Sequence, residues 1–253
     1  MLNEAQVRQV GRRLKAILPA RQWSSLKGLV ARFLFPGNLR YLATMYGSDK
    51  WGQHWYAQHY QQHFSSLRKK PIVLLEIGIG GFDDPHAGGA SLKMRKHYFP
   101  KGRINGVDIY DKSPHKDDRI RTFVGDQCDE IFLRQLVSEI GTPDIIIDDG
   151  SHINSHVIKS FEVLFPLLAD NGIYVIEDLC SSYWTDFGGS SEDLVSARTS
   201  MCMLKRLVDG LNHKEFMHRG YQPSYFDENI VGMHFYHNLV FCLKGKNLEK
   251  GNR

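Results

Sequence analysis

The chain has 253 residues, 42% hydrophobic and 24% charged, with a formal net charge of +4, the makeup of a soluble globular protein with one sizeable core. No apolar run approaches the roughly 20 residues of a transmembrane helix, no cleavable N-terminal signal pattern is expected, and the four scattered cysteines form no CxxC pair. A membrane-spanning helix, a disulfide framework and a zinc ribbon are therefore excluded, and the expected location is the cytoplasm.

In chain order, residues 1–40 come first and hold eight basic side chains (Arg8, Arg12, Arg13, Lys15, Arg21, Lys27, Arg32, Arg40) against one acid, Glu4. Val7, Val10, Leu14, Ile17 and Leu18 recur at helical spacing, and a second apolar stretch, Leu26 to Phe35, ends at Pro36-Gly37. This segment reads as a basic N-terminal helical extension, with a solvated charged face, ahead of a domain over 41–253. Anionic lipid or an acidic partner is the alternative for that charge. Nucleic acid is not an expected partner, because no binding motif accompanies it.

An aromatic and polar stretch, Tyr46-Gly-Ser-Asp-Lys-Trp-Gly-Gln-His-Trp-Tyr56, leads into a helix ending near Leu67. Pro71 to Ile77 is a short apolar run that stops at Gly78-Ile-Gly-Gly81, as a buried parallel strand entering a tight turn does. A regular alternation follows: a helix over Ser91–Tyr98, strands over Arg103–Asp108 and Ile120–Val124, and a helix over Glu130–Ile140. It continues with a strand over Asp144–Asp148, a helix over Ser155–Leu168 and a strand over Gly172–Glu177. Finally, Ile230–Tyr236 and Leu239–Lys244 flank His237-Asn238 as a hairpin, so the sheet ends in antiparallel strands. The fold class is α/β: a doubly wound, Rossmann-like sheet of the class I methyltransferase kind.

In such sheets ligands bind at the carboxyl ends of the strands, and here each end carries an acid. Glu76 leads into Gly78-Ile-Gly80, where small residues let a cofactor approach the backbone. Asp108 ends the second strand, where a carboxylate can accept both hydroxyls of an adenosine ribose, and Asp126-Gln127 follows the third, within reach of an adenine edge. The turn does not complete GxGxxG, because position 83 is Asp, so a cofactor without a pyrophosphate, such as S-adenosylmethionine, suits it better than NAD. Asp148-Asp149-Gly-Ser-His152 and Glu177-Asp178 end adjacent strands. Together Asp149, Glu177 and Asp178 make an oxygen-rich cluster suited to Mg²⁺ or another divalent cation. His152 is placed to take a proton from a hydroxyl that the metal has acidified. His156 reads as structural or as an orienting residue. The loop Ser181 to Gly189 is either a lid over an acceptor or an ordinary surface loop, and Trp51, Trp55, Tyr56, Tyr183 and Trp184 either stack on a sugar or serve the core.

These motifs, with Tyr46-Gly-Ser-Asp-Lys50, His54-Trp-Tyr56, Leu75-Glu-Ile-Gly78, Gly106-Val-Asp108 and Gly125-Asp-Gln127, resemble the cephalosporin-hydroxylase-like family of class I methyltransferases. Within it the likeness is to macrolide sugar and rhamnosyl O-methyltransferases. The resemblance runs from about residue 41 to about residue 244 and implies Mg²⁺ ligation by Asp149, Glu177 and Asp178, and His152 as general base. It also implies a cofactor site lined by Glu76, Asp108, Asp126, Gln127 and Asp148. The iron and oxoglutarate ligand pattern of a hydroxylase is not evident. The expected function is metal-dependent O-methylation of a sugar or sugar-bearing acceptor, since vicinal hydroxyls suit a chelating ion. A phenolic or polyketide hydroxyl, or a non-catalytic S-adenosylmethionine-binding protein, are the competing readings. The resemblance and the apolar N-terminal helices together imply a homo-oligomer.

Overall fold

Strands β1 (Val73–Ile77), β4 (Ile145–Asp148) and β5 (Ile173–Ile176) are apolar at nearly every position and buried throughout, as parallel strands covered on both faces must be. The structure, a computed structural model, describes residues 37–251 together with Gln9, Arg13, Ile17 and Leu26. With β2 (Arg103–Asp108), β3 (Ile120–Val124), β6 (Ile230–Tyr236) and β7 (Leu239–Lys244), the described strands form one sheet in the order β3-β2-β1-β4-β5-β7-β6. The first five are parallel, and β7 runs antiparallel to both of its neighbours, as the expected hairpin requires.

The two-residue period of the strands sends alternate side chains to two cores. Leu75, Ile146 and Tyr174 pack against α4 (Glu130–Ile140), α5 (Asn154–Leu164) and α6 (Ser200–Leu211) through Leu133, Leu136, Phe161 and Leu204. Leu74, Ile145 and Val175 pack on the other face against α1 (Leu39–Tyr46), α2 (Tyr56–Phe64) and α3 (Ala90–Tyr98). Three helices add to those that periodicity predicts: α1, α6 and the short α7 (Tyr225–Asn229), which leads into β6. Helix α1 starts directly after Pro36-Gly37, with the Asn38 side chain accepting from the Tyr41 amide, so Leu39 and Arg40 fold with the α/β unit. The helices expected within residues 1–36 lie outside the described residues, except that Gln9, Arg13, Ile17 and Leu26 are each helical.

Register decides where the chemistry gathers. Ile77 pairs with Asp148, and Asp148 with Ile176. The residues one step further, Gly78, Asp149 and Glu177, therefore leave the sheet together at the carboxyl ends of its central strands, beside the β1/β4 switch in strand order.

Candidate active site at the strand ends

On the β1 and β2 side, Asp108 holds the glycine turn by its backbone. One carboxylate oxygen accepts from the Ile79 amide at 2.8 Å and the other from the Tyr110 amide at 3.0 Å, while each keeps a further lone pair for a ligand hydroxyl. Gly78 has φ 86, and a Cβ there would lie 2.1 Å from the Asp149 carbonyl oxygen, so only glycine lets the β1 turn pass the β4 turn. Asp126 accepts from the Cys128 amide at 2.8 Å. Gln127 and Asp148 are buried: Gln127 accepts from the Ser151 amide at 2.8 Å and donates to Asp148 at 3.3 Å, and Ser160 also donates to Asp148. These two brace the loop after β4, and burial raises the Asp148 carboxyl.

On the β4 and β5 side, Asp149, His152 and Asp178 converge, each offering a ligand atom within 4.8 Å of the other two. His152 Nε2 lies 3.7 Å from an Asp178 oxygen. Both residues hold left-handed backbone, φ 58 and φ 51, which non-glycine residues adopt at a cost. His156 bonds the Ser151 hydroxyl at 3.0 Å, so it orients the loop.

Glu177 stands behind this trio and is fully buried. Lys50 Nζ lies 2.6 Å from one of its oxygens and 2.7 Å from Asp149, and the Tyr60 hydroxyl donates to the other oxygen. Arg95 bridges from Glu177, at 3.4 Å, to Glu76, at 2.6 Å, so Glu76 is part of a buried ion-pair chain. Tyr56 donates to Asp178 at 2.6 Å. Burial pushes the Asp149 carboxyl up to about 7 against the lowering influence of Lys50. Burial, reinforced by Asp149, pushes Glu177 up to about 8. Burial alone would lower the Lys50 ammonium, but Asp149, Glu177 and Asp49 outweigh it and hold it well above its usual value.

The loop after β5 begins as a buried strap. Asn154, at the start of α5, donates to the Ser181 and Phe187 carbonyls at 3.1 and 2.9 Å and accepts from the Ser200 amide at 2.7 Å. Tyr183 and Trp184 project from it, exposed.

No protein-family model matches the chain. It is 50% identical over 211 residues to the 8-demethyl-8-alpha-L-rhamnosyl tetracenomycin-C 2'-O-methyltransferase of Streptomyces olivaceus, a match covering 83% of this chain and 55% of that protein. It is 46% identical over 216 residues to the mycinamicin VI 2''-O-methyltransferase of Micromonospora griseorubida, covering 85% and 54%. The solved MycE methyltransferase of the mycinamycin biosynthetic pathway, in complex with Mg and SAH, superposes with a TM-score of 0.85 at 42% identity, over 96% of this chain and 63% of that one. The chain is a homologue of these sugar O-methyltransferases. It spans about half the length of the curated relatives it matches. Over that span it shares their methyltransferase fold, with the seven-stranded sheet and its antiparallel C-terminal pair.

Periodicity and strand-end position find the acids and His152 of this homologue but assign nothing to Lys50, Tyr60 or Arg95, and Tyr56, read as a sugar-stacking or core aromatic, instead donates to Asp178. Lys50 and Tyr56 sit in the Tyr46–Tyr56 stretch, whose Tyr46-Gly-Ser-Asp-Lys50 and His54-Trp-Tyr56 motifs belong to the family resemblance without giving either residue a place beside the strand-end acids.

Proposed function

We propose that the chain is an S-adenosylmethionine- and divalent-metal-dependent O-methyltransferase acting on a hydroxyl of a sugar or a sugar-bearing natural product. The observation that carries this is the convergence of Asp149, His152 and Asp178 beside the Gly78 turn, on the fold of a relative solved with Mg and SAH. The donor set fits a hard cation: carboxylate oxygens predominate, they are partly desolvated, and no thiolate is among them. Asp149 and Asp178 would hold the ion, with Glu177, the third acid expected there, standing behind them, and Gly78, Asp108, Asp126 and Gln127 with Glu76 and Asp148 behind them would shape the cofactor side. Bound there, S-adenosylmethionine supplies an electrophilic methyl group and the ion supplies positive charge that makes an acceptor hydroxyl more acidic.

The residues of the chain do the rest. His152, exposed enough to meet an acceptor, takes the hydroxyl proton on its imidazole as the oxygen bonds to the methyl carbon, and the breaking bond leaves its electron pair on sulfur. Asp108 and the glycine turn fix the donor side, and Asp149 and Asp178 fix the acceptor side, so most of the gain is positioning. Vicinal hydroxyls can occupy two positions on one ion, which favours a sugar. The four cysteines are free, consistent with a cytoplasmic enzyme. Self-association through the N-terminal extension belongs to the same proposal.

The test is turnover of labelled S-adenosylmethionine on a panel of rhamnosides and other glycosides, with Mg²⁺ and after chelation. Metal-dependent transfer to a glycoside is expected. Transfer only to phenolic or polyketide hydroxyls would move the acceptor class, and tight cofactor binding without transfer to any acceptor would reduce the chain to a binding protein.

A further inference from the structure

Lys50 is the least expected member of the site. Its side chain is 2% exposed, yet its ammonium lies 2.7 Å from Asp149, 2.6 Å from Glu177 and 3.3 Å from Asp49. The segment that carries it is pinned at several points: the Ser48 amide donates to the Ala43 carbonyl, the Ala57 amide to the Lys50 carbonyl, and the His54 amide to the Asp49 carbonyl, each at 2.9 Å. The ammonium also faces the Tyr56 ring at 5.9 Å, and Tyr56 in turn holds Asp178. A lysine buried this deeply is rare unless paired, and here it is paired with acids from the ends of two strands.

Exposure shows on which side it stands. Asp149, Asp178 and His152 are 16%, 21% and 26% exposed, whereas Lys50 and Glu177 are at 2% and 0%. A cation arriving from solvent meets the outer trio first, with the ammonium on the protein side of the acids. Lys50 touches a single oxygen of Asp149, and Tyr56 donates to a single oxygen of Asp178, which leaves the other oxygen of each for an ion. Glu177 is gripped at both oxygens, by Lys50 at one and by Tyr60 and Arg95 at the other.

We infer that Lys50 is a positioning residue for the metal centre: a built-in buried countercharge that holds Asp149 in place beside Glu177 so that a divalent cation can bind on the solvent side of Asp149 and Asp178. This rests on the metal-dependent reading above. Without the ammonium, two desolvated carboxylates at neighbouring strand ends repel and turn apart. Groups that orient metal ligands from behind typically contribute about ten- to hundredfold in affinity. A competing role predicts the opposite sign, because an ammonium that merely filled the ion's place would, once removed, leave a tighter site.

Calorimetric titration of the full chain with MgCl₂, and separately with S-adenosylhomocysteine, distinguishes these roles. Lys50→Met is expected to weaken Mg²⁺ binding by about ten- to hundredfold while leaving S-adenosylhomocysteine affinity within about threefold, and Lys50→Arg, which keeps the charge, should recover part of the loss. A general loss of structure would instead lower both affinities together. Tighter or unchanged Mg²⁺ binding by Lys50→Met overturns the inference. Should that variant not bind S-adenosylhomocysteine, Lys50→Gln supplies the comparison, and failure of both to fold assigns Lys50 to stability alone and overturns it as well. Wild-type protein that binds no Mg²⁺ would sink the metal reading itself, whereas wild-type binding with an unaltered Lys50→Met sinks only the role of Lys50.

Discussion

His152 and Asp178 face each other from left-handed backbone, a conformation that costs on the order of 1–3 kcal/mol per residue and persists when surrounding structure enforces it. Their substitutions separate the roles proposed for the site. Asp149→Asn should remove divalent-cation binding and turnover together, with cofactor binding retained, because Asp108 and the glycine turn lie on different strands. His152→Ala should keep the cation and lose rate by roughly 10²–10⁴, with partial recovery at higher pH where the activated hydroxyl ionises unaided. An unimpaired His152→Ala enzyme removes the base assignment. Asp108→Ala should weaken S-adenosylhomocysteine binding by about tenfold or more by calorimetry, since it deletes a charged acceptor and releases the Ile79 amide that it holds. Asp149, Asp178 and His152 were legible in the sequence because short motifs at strand ends place them. The partners of Glu177 were not, because Tyr60 lies 117 residues away along the chain.

The pairing of α2 with the β6–β7 hairpin carries a pH dependence of its own. His63 stacks on Phe241 at 4.1 Å between ring centroids and bonds the Tyr236 hydroxyl at 3.0 Å, with the His234 ring 4.7 Å away. Burial, then the neighbouring His234 and His59, lower its pKa to about 4, so the folded protein favours the neutral ring. Below the unfolded value of about 6.5 the unfolded chain binds this proton more readily than the folded one. The contribution of His63 to stability is therefore complete above about pH 6.5 and is lost as pH falls from there toward 4. Urea melts across that range should show a steeper acid decline in wild type than in His63→Phe, and parallel profiles would discount the group. The hairpin itself was plain in the sequence, since two strand-like runs flank His237-Asn238. Helices α1 and α6 were harder to see: α1 follows a Pro-Gly that also ends an earlier apolar run, and α6 follows a long loop, so neither is framed by the strand-helix rhythm that marks the others.

For the whole molecule, the expectation of a homo-oligomer is checked by light scattering at micromolar concentration, where a multiple of the 29.0 kDa chain mass is expected and a monomer counts against it. The sequence by itself determined the order of the strands and of the helices between β1 and β5, the antiparallel ending and the row of acids at the strand ends. Each of these is written in a pattern a few residues long, in the period of apolar side chains or in the turn that follows them. What only the tertiary structure decided is how those acids are used. Lys50 reaches Asp149 across 99 residues of chain, and Arg95 links Glu76 to Glu177, because strand register and helix packing bring these segments together at the carboxyl ends of the central strands. No local spacing encodes such a meeting, and burial there turns ordinary lysine and arginine side chains into fixed countercharges for carboxylates that would otherwise repel.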